Sequence, residues 1–225
     1  MKPRKRNKLV FGIGTNDYAG VVKDANGKHI PSYRKWKDML KRCYSEKYLQ
    51  EYPTYRGCSV CPEWLYFSNF KDWYDENVIE GFQVDKDLLI ESNKVYSPET
   101  CLFVSRRLNT LFTDSRNSRG LYPQGVGWME ECNKFRTHLK RYGKQKHLGV
   151  FTDTRNAFEA YLIAKAEYAI EVVLSETYLS PEHMIQILKN QLGKLEADWN
   201  EYTDTVSPLV ELQLLKKVKR ELKLQ

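Results

Sequence analysis

Apolar positions along the chain recur at two periods, and the alternation between them sets out the elements. From Ser32 to Gln50, Tyr33, Trp36, Met39, Leu40 and Cys43 fall three and four apart, with Arg34, Lys35, Lys37, Lys41 and Arg42 around them. That spacing predicts an amphipathic helix with a buried stripe, and Ser32 is placed to cap its start. Phe67, Phe70, Trp73 and Tyr74 repeat the period as an aromatic helix face. Ala157, Ala160, Tyr161, Ala164, Tyr168 and Val172 do so again, behind Asp153 as N-cap. Met184, Ile185, Leu188, Leu192 and Leu195 form a further stripe, and Leu209 to Leu224 alternates Leu and Val with Lys and Arg. Alternation with period two marks strands instead. Phe135, Thr137 and Leu139 share one face of Lys134 to Arg141, and Lys134, Arg136, His138 and Lys140 share the other. Gly125 to Trp128 reads as a strand before it and Gln145 to Leu148 as one after it, across a Tyr142-Gly143-Lys144 turn. Asn26-Gly27 reads as a tight hairpin.

Between these segments, residues 82–113 read as strand, irregular hairpin connection, strand and short helix. Phe82 to Val84 and Cys101 to Val104 are short apolar runs, and Ser92-Asn93 and Ser97-Pro98 are turn signals between them. Arg106 to Phe112 returns to helical spacing through Leu108, Leu111 and Phe112. In a continuing strand, Asp85 and Asp87 share a face.

Composition adds an anionic partner to this picture. The 225 residues are 41% hydrophobic and 29% charged, which is globular, and the net charge is +7. Residues 1–8 hold five basic residues and no acid, an arm suited to lie along phosphates or simply to be solvated. Gly12-Ile13-Gly14 lacks the third glycine and the Lys-Ser/Thr of a phosphate-binding loop. No apolar run has the length of a membrane span, and the basic start lacks a secretory core, so the five Cys are expected as reduced thiols in a cytosol. Cys58 and Cys61 form a C-x-x-C pair. With Cys43 and Cys101 they could make a four-thiolate zinc site, against a default of buried packing thiols.

The stretch at 82–113 resembles the core of the HNH nuclease family, in its phage homing-endonuclease form. The resemblance rests on Val84-Asp85-Lys86, on Tyr96-Ser97-Pro98-Glu99-Thr100-Cys101-Leu102-Phe103-Val104 and on Asn109. It extends upstream through Tyr33-x-x-Trp36-x-x-Met39-Leu40-x-Arg42-Cys43-Tyr44, Tyr55-x-Gly57-Cys58-x-Val60-Cys61 and Trp64-x-x-Phe67-x-x-Phe70-x-x-Trp73. It implies a ββα-metal fold in which Asp85 and Asn109 hold magnesium or manganese. It also puts Lys86 where the family has its general-base His, and Thr100 where it has the orienting Asn. A lysine amine ordinarily keeps its proton at neutral pH and cannot act as that base, which leaves Asp87 as the nearby alternative.

Residues 122–173 resemble the ethylene-response-factor type of DNA-binding domain. The matching pieces are Gly125-Val126-x-Trp128, Lys134-Phe135-Arg136-x-x-Leu139, Gly143-Lys144-x-x-His147-Leu148-Gly149-x-Phe151 and Ala157-x-x-Ala160-Tyr161-x-x-Ala164-Lys165. The resemblance implies a three-stranded sheet whose exposed face enters the major groove of duplex DNA. Arg136, His138, Lys140, Gln145 and His147 are then the base-side candidates, Lys140, Lys144 and Lys146 serve phosphates, and Lys134 belongs to the same DNA-binding set. Between 134 and 147 stand six Lys or Arg and no acid. Arg116 and Arg119, in a polar linker, are further phosphate candidates.

The resulting expectation is an α+β protein. A basic arm and hairpin at 1–31 precede an HNH-like ββα-metal domain at 32–120. A three-stranded sheet with its helix follows at 121–173, then a charged helical tail at 174–225. Three functions follow from these readings. One is a DNA-binding protein of the phage HNH family with weak, altered or lost phosphodiesterase activity. Another is an active metal-dependent DNA-nicking homing endonuclease. The third is a phage factor that binds a host protein complex through the C-terminal helices. All three place the chain in a host-cell cytoplasm, away from membrane.

Overall fold

The computed structural model describes residues 9–111, 121–203, 218, 220 and 222. The basic arm at 1–8, Phe112, Arg116, Arg119 and most of Leu209 to Leu224 lie outside them. The chain is a mixture of helix and small sheets, as an α+β chain requires. It divides into two compact units, with the boundary between Val104 and Ser105.

The first unit is organised by aromatic burial. Helix α1 (Pro31–Tyr44) and helix α3 (Phe67–Asn77) present Trp36, Leu40, Phe67 and Phe70 to one core, together with Trp64 from the preceding 3-10 turn. The ring pairs Tyr33–Phe67 and Trp64–Phe70 meet edge to face, at 4.9 and 5.1 Å between centroids. Each such buried ring is worth on the order of 1.5–3 kcal/mol of apolar transfer. The Trp36 indole donates to the Trp64 carbonyl at 2.7 Å, so the buried N–H is satisfied. Gly14 packs on this core, where a Cβ would stand 2.9 Å from the Trp36 ring, so this glycine serves close packing. The Asn26-Gly27 hairpin is a single bridge, Lys23 to His29, with Asp24 accepting the Asn26 and Lys28 amides.

Two expectations for the first helix change. The 32–50 pattern is two helices, because Ser45 is extended and separates α1 from α2 (Glu46–Glu51). Ser32 is not the cap: Ile30 takes that place, Pro31 opens the helix with its fixed φ, and Ser32 is buried.

Two small pairings complete the unit. Strand β1 (Ser59–Val60) runs parallel to β3 (Val95–Tyr96). Strand β2 (Gln83–Asp85) runs antiparallel to β4 (Leu102–Val104), with Val84 opposite Phe103. The strand–connection–strand order expected for residues 82–104 is therefore present.

The second unit begins with the helix that follows, α4 (Arg106–Leu111). Strands β5 (Val126–Met129), β6 (Lys134–Arg141) and β7 (Lys144–Phe151) form an antiparallel sheet in that order. Tyr142 and Gly143 both have positive φ, the two-residue turn that a right-twisted hairpin needs. Helix α5 (Thr154–Ser175) covers one side of the sheet, capped by Asp153, whose carboxylate accepts the Asn156 amide at 2.8 Å. Thr137, fully buried, donates its hydroxyl to the Ala157 carbonyl at 3.0 Å and fixes the sheet to the helix. Gly125 has φ +81° and a Cβ there would run into the Tyr161 ring, so only glycine fits between β5 and α5.

Residues 174–202 are part of this unit's core and not a separate tail. Helix α6 (Pro181–Tyr202) packs on α5, and Phe158 stacks with Trp199 at 6.0 Å between ring centroids. Helix α5 is therefore covered on two sides, by sheet and by α6, which is why Phe158, Leu162, Ala169 and Val173 are buried as well as Ala157, Tyr161, Tyr168 and Val172 of the expected stripe, while Ala160 and Ala164 are half-buried. On α6 the buried line runs through Met184, Ile187, Leu188, Gln191, Leu192, Leu195 and Trp199, so Ile187 replaces Ile185 in it.

Candidate nucleic-acid interface

The register of the second unit's sheet decides which side chains can act together. Residues directly opposite on antiparallel strands share a face. Val126 with Thr137 and Trp128 with Phe135 lie on the α5 side. Gly127 with Arg136, and Met129 with Lys134, lie on the outer side. Between β6 and β7, His138 pairs with His147 and Lys140 with Gln145, so Arg136, His138, Lys140, Gln145 and His147 all stand on the outer face with Lys134. Neither β6 nor β7 contains an acidic residue.

A β-bulge makes this set coherent. The register shifts between Thr137 and His138, leaving Leu148 as the extra residue of β7. Strict alternation along β7 would put His147 on the same side as Phe151, which faces α5 opposite Phe135. The bulge turns His147 and Gln145 outward while Phe151 stays on the α5 side. The same register puts Lys144 opposite Arg141 and Lys146 opposite Leu139, on the α5 side of the sheet. Both lysines are exposed, since they lie at the end of the hairpin. The eight sequence candidates thus divide into six on the outer face and two on the reverse.

The electrostatics favour hydrogen bonding and charge together. The His138 and His147 rings lie 5.2 Å apart. Partial burial, then the neighbouring His147 and Arg136, hold His138 below its ordinary pKa, so at neutral pH it is an uncharged imidazole that donates and accepts. Arg136 lies across Gly127, its Nε within 3.5 Å of where a Cβ would stand, and is exposed with no ion-pair partner among the described residues. Arginine matches guanine edges bidentately and glutamine matches adenine, so Arg136 and Gln145 carry base-reading chemistry on a face where Lys134 and Lys140 supply charge.

The residues that the HNH resemblance singled out are arranged differently. Asp85 ends β2, and its Oδ1 accepts the amides of Asp87 at 2.7 Å and Leu88 at 3.0 Å. Burial pushes its carboxyl above the usual carboxylate range, against the lowering effect of those two amides. Asp87 is not on the strand: the chain turns after Asp85, so the two aspartates do not share a strand face. Lys86 is 5% exposed and points inward. Its amine donates to Asp87 Oδ1 and to the Asn93 carbonyl (2.8 Å), and it lies 5.6 Å from the Tyr96 ring centroid. Asn93 returns a bond from Nδ2 to the Lys86 carbonyl at 2.7 Å. Lys86 therefore latches the 86–95 connection. Thr100 donates its hydroxyl to the Val95 carbonyl at 2.9 Å and accepts the Ser97 amide, so it closes the 97–101 turn. Asn109 lies on α4, in the second unit.

Asp85 is committed to two amides and Asp87 to Lys86, whereas magnesium or manganese asks for an oxygen-rich shell. Among the described residues no group of three or more His, Cys, Asp or Glu is arranged to hold a metal ion. Cys43, Cys58, Cys61 and Cys101 are all buried within the aromatic core as free thiols. Burial pushes the Cys43 and Cys101 thiols up to about 12 and raises that of Cys61, as for thiols packed in an apolar core.

Sequence reasoning passed over three cations in the second unit. Arg106 and Arg107 on α4 and Lys165 on α5 line a groove with Arg136, His138 and Lys140. The only signal for them was the Arg106-Arg107 pair itself, which the family resemblance had absorbed into another domain. No described helix is long and apolar enough to cross a membrane. Comparison with known proteins finds no matching family model, no matching curated protein and no matching solved structure.

Proposed function

We propose that this protein binds double-stranded DNA through the outer face of the β5–β6–β7 sheet. The observation that carries the proposal is the register: it aligns Arg136, His138, Lys140, Gln145 and His147 on one acid-free face. A two- or three-stranded ribbon fits the width of a major groove, and this face combines base-edge donors with phosphate-neutralising cations. On this reading Lys134 and Lys140 position the sheet and Arg136 and Gln145 read bases. The 82–111 segment serves as an HNH-like scaffold that does not hydrolyse phosphodiesters. What supports that second part is the engagement of Lys86 by Asp87 and Asn93, which leaves the base position filled by a structural amine.

The test is a salt-titrated binding assay with a fluorescent duplex, run on the wild type and on Arg136→Glu/Lys140→Glu. Wild-type affinity should fall linearly with salt on logarithmic axes. The double variant should lose at least ~30-fold in affinity and shed about one unit of that slope, since losing the Lys140 phosphate contact removes ~0.9. Unchanged binding by the double variant refutes the sheet as the reader. A plasmid-nicking assay with magnesium or manganese runs beside it. Metal-dependent nicking that Asp85→Ala abolishes overturns the scaffold reading and restores the endonuclease.

A further inference from the structure

The sheet face continues into a groove that the sequence does not announce. Strand β5 leaves β6 at Gly125, whose carbonyl accepts the His138 amide at 2.9 Å, so Leu139 to Arg141 run on without a described strand on that side. The space beside them is about 1260 Å3, walled by α4, the β6 edge and α5. Among the described residues its charged lining consists of Arg106, Arg107, Arg136, Lys140 and Lys165, and no described Asp or Glu lines it.

Two of these cations are held in place. Arg107 donates to the buried Glu176 carboxylate at 3.1 Å and to the Ser175 hydroxyl at 2.6 Å, and its guanidinium lies 5.8 Å from the Tyr142 ring centroid. Ser105 adds a hydroxyl bond to the same carboxylate at 2.7 Å, which fixes α4 to the end of α5. Lys165 reaches across from α5 and donates to the Leu111 carbonyl at 2.9 Å, with no ion-pair partner among the described residues. Burial lowers its amine to about 8. Arg106 is exposed, and neither it nor Lys140 has an ion-pair partner among the described residues. A groove that gathers like charges, one of them desolvated, is costly when empty and is relieved by an anion.

We propose that this groove seats a stretch of DNA phosphodiester backbone, so that α4 and α5 extend the binding surface of the sheet with Arg106, Arg107 and Lys165. The inference rests on the reading that the outer sheet face binds duplex DNA, with which the groove shares Arg136, His138 and Lys140. It assigns α4 to backbone contact rather than to a metal centre. It also explains why the helix is anchored to α5 by Ser105 and Arg107: a rigid wall keeps the phosphate positions in register with the sheet.

Amine footprinting separates the two claims. The full-length protein is acetylated at limiting reagent with and without a random-sequence 20-base-pair duplex, and each lysine is read by mass spectrometry. Protection of both Lys140 and Lys165 is the expected result. Protection of Lys140 with Lys165 still reactive overturns the groove and leaves the sheet reading intact. No protection of either, with no duplex binding, overturns both. Protection of Lys165 with Lys140 reactive keeps the groove and overturns the sheet. Arg106→Ala, which removes an exposed side chain and no described contact, should weaken duplex binding about 5- to 10-fold and lower the salt slope by ~0.9. Wild-type affinity and slope in Arg106→Ala count against the groove.

Discussion

Replacing Lys165 with Met is expected to stabilise the protein while it weakens DNA binding. The Lys165 amine titrates at about 8 in the folded unit against 10.5 for an ordinary lysine, a depression caused by burial. Each unit is worth ~1.4 kcal/mol, so holding the charge in the groove costs about 3 kcal/mol at neutral pH. Met fills a similar volume without the charge, but it forfeits the bond to the Leu111 carbonyl, worth roughly 1.5–3 kcal/mol for an ionised donor. The net gain expected at pH 7 is about 1 kcal/mol, a rise of roughly 4 °C in the melting temperature. Because the folded pKa lies below the unfolded one, the unfolded chain binds more protons between pH 8 and 10.5, and wild-type stability climbs through that window. The penalty is fully present below pH 8 and gone above 10.5. The advantage of Lys165→Met should therefore be largest at pH 7 and shrink as pH rises from 8 to 10.5. Urea denaturation of both proteins at pH 7, 9 and 10, followed by tryptophan fluorescence, measures the difference. A variant less stable at pH 7, or an offset that stays constant to pH 10, would refute the account of Lys165 as a desolvated cation.

Other parts of the structure make separate predictions. Lys86→His introduces the histidine that HNH nucleases carry at the position Lys86 resembles, yet the side chain here points into the Asn93 and Tyr96 pocket, so no magnesium-dependent nicking of plasmid should appear; nicking would show that this position faces the substrate. Asp85→Asn keeps an oxygen for the Asp87 and Leu88 amides and removes a carboxylate that burial disfavours, so stability at pH 7 should be unchanged or higher in thermal melts; a clear loss means the charge itself is needed. Gly125→Ala forces a side chain into the Tyr161 ring at φ +81° and should cost on the order of 3 kcal/mol by denaturant unfolding. Asp153→Ala removes the cap of α5 and should cost about 1 kcal/mol, with faster hydrogen exchange confined to the first turn of the helix.

Much of the second unit was legible from residue pattern because local rules dominate there. The alternation in Lys134 to Arg141 matches β6 residue for residue, and Asp153 caps α5 as its side chain chemistry predicts. The aromatic stripe at Phe67, Phe70 and Tyr74 is likewise buried on α3, since a ring of that size at helical spacing has nowhere else to go. Local pattern failed where two different partners covered one helix. The spacing on α5 showed a single stripe, but the helix is apolar toward both sheet and α6, and the turn between Ser175 and Pro181 that folds α6 back on it carries no apolar period to announce it. That is why residues 174–202 read as a tail.

The candidate site divides the same way. The sequence by itself determined the residue types: a basic, acid-free run from Lys134 to Lys146, and Arg106-Arg107 ahead of it. Only the tertiary structure decided which of them act together. A one-residue bulge at Leu148 brings His147 and Gln145 to the side of Arg136 and Lys140, and turns Lys144 and Lys146 to the reverse; alternation cannot encode that shift, because the extra residue is defined by its pairing with β6. Lys86 looked like a substitute in a catalytic position, and its burial against Asn93 and Tyr96 makes it a latch, a role that depends on a hairpin closing around it. Lys165 looked like one more helical lysine. Its desolvation, and the groove it shares with Arg106 and Arg107, exist only once α4 is packed on α5, because a pKa responds to what surrounds the group in space and not to its neighbours along the chain.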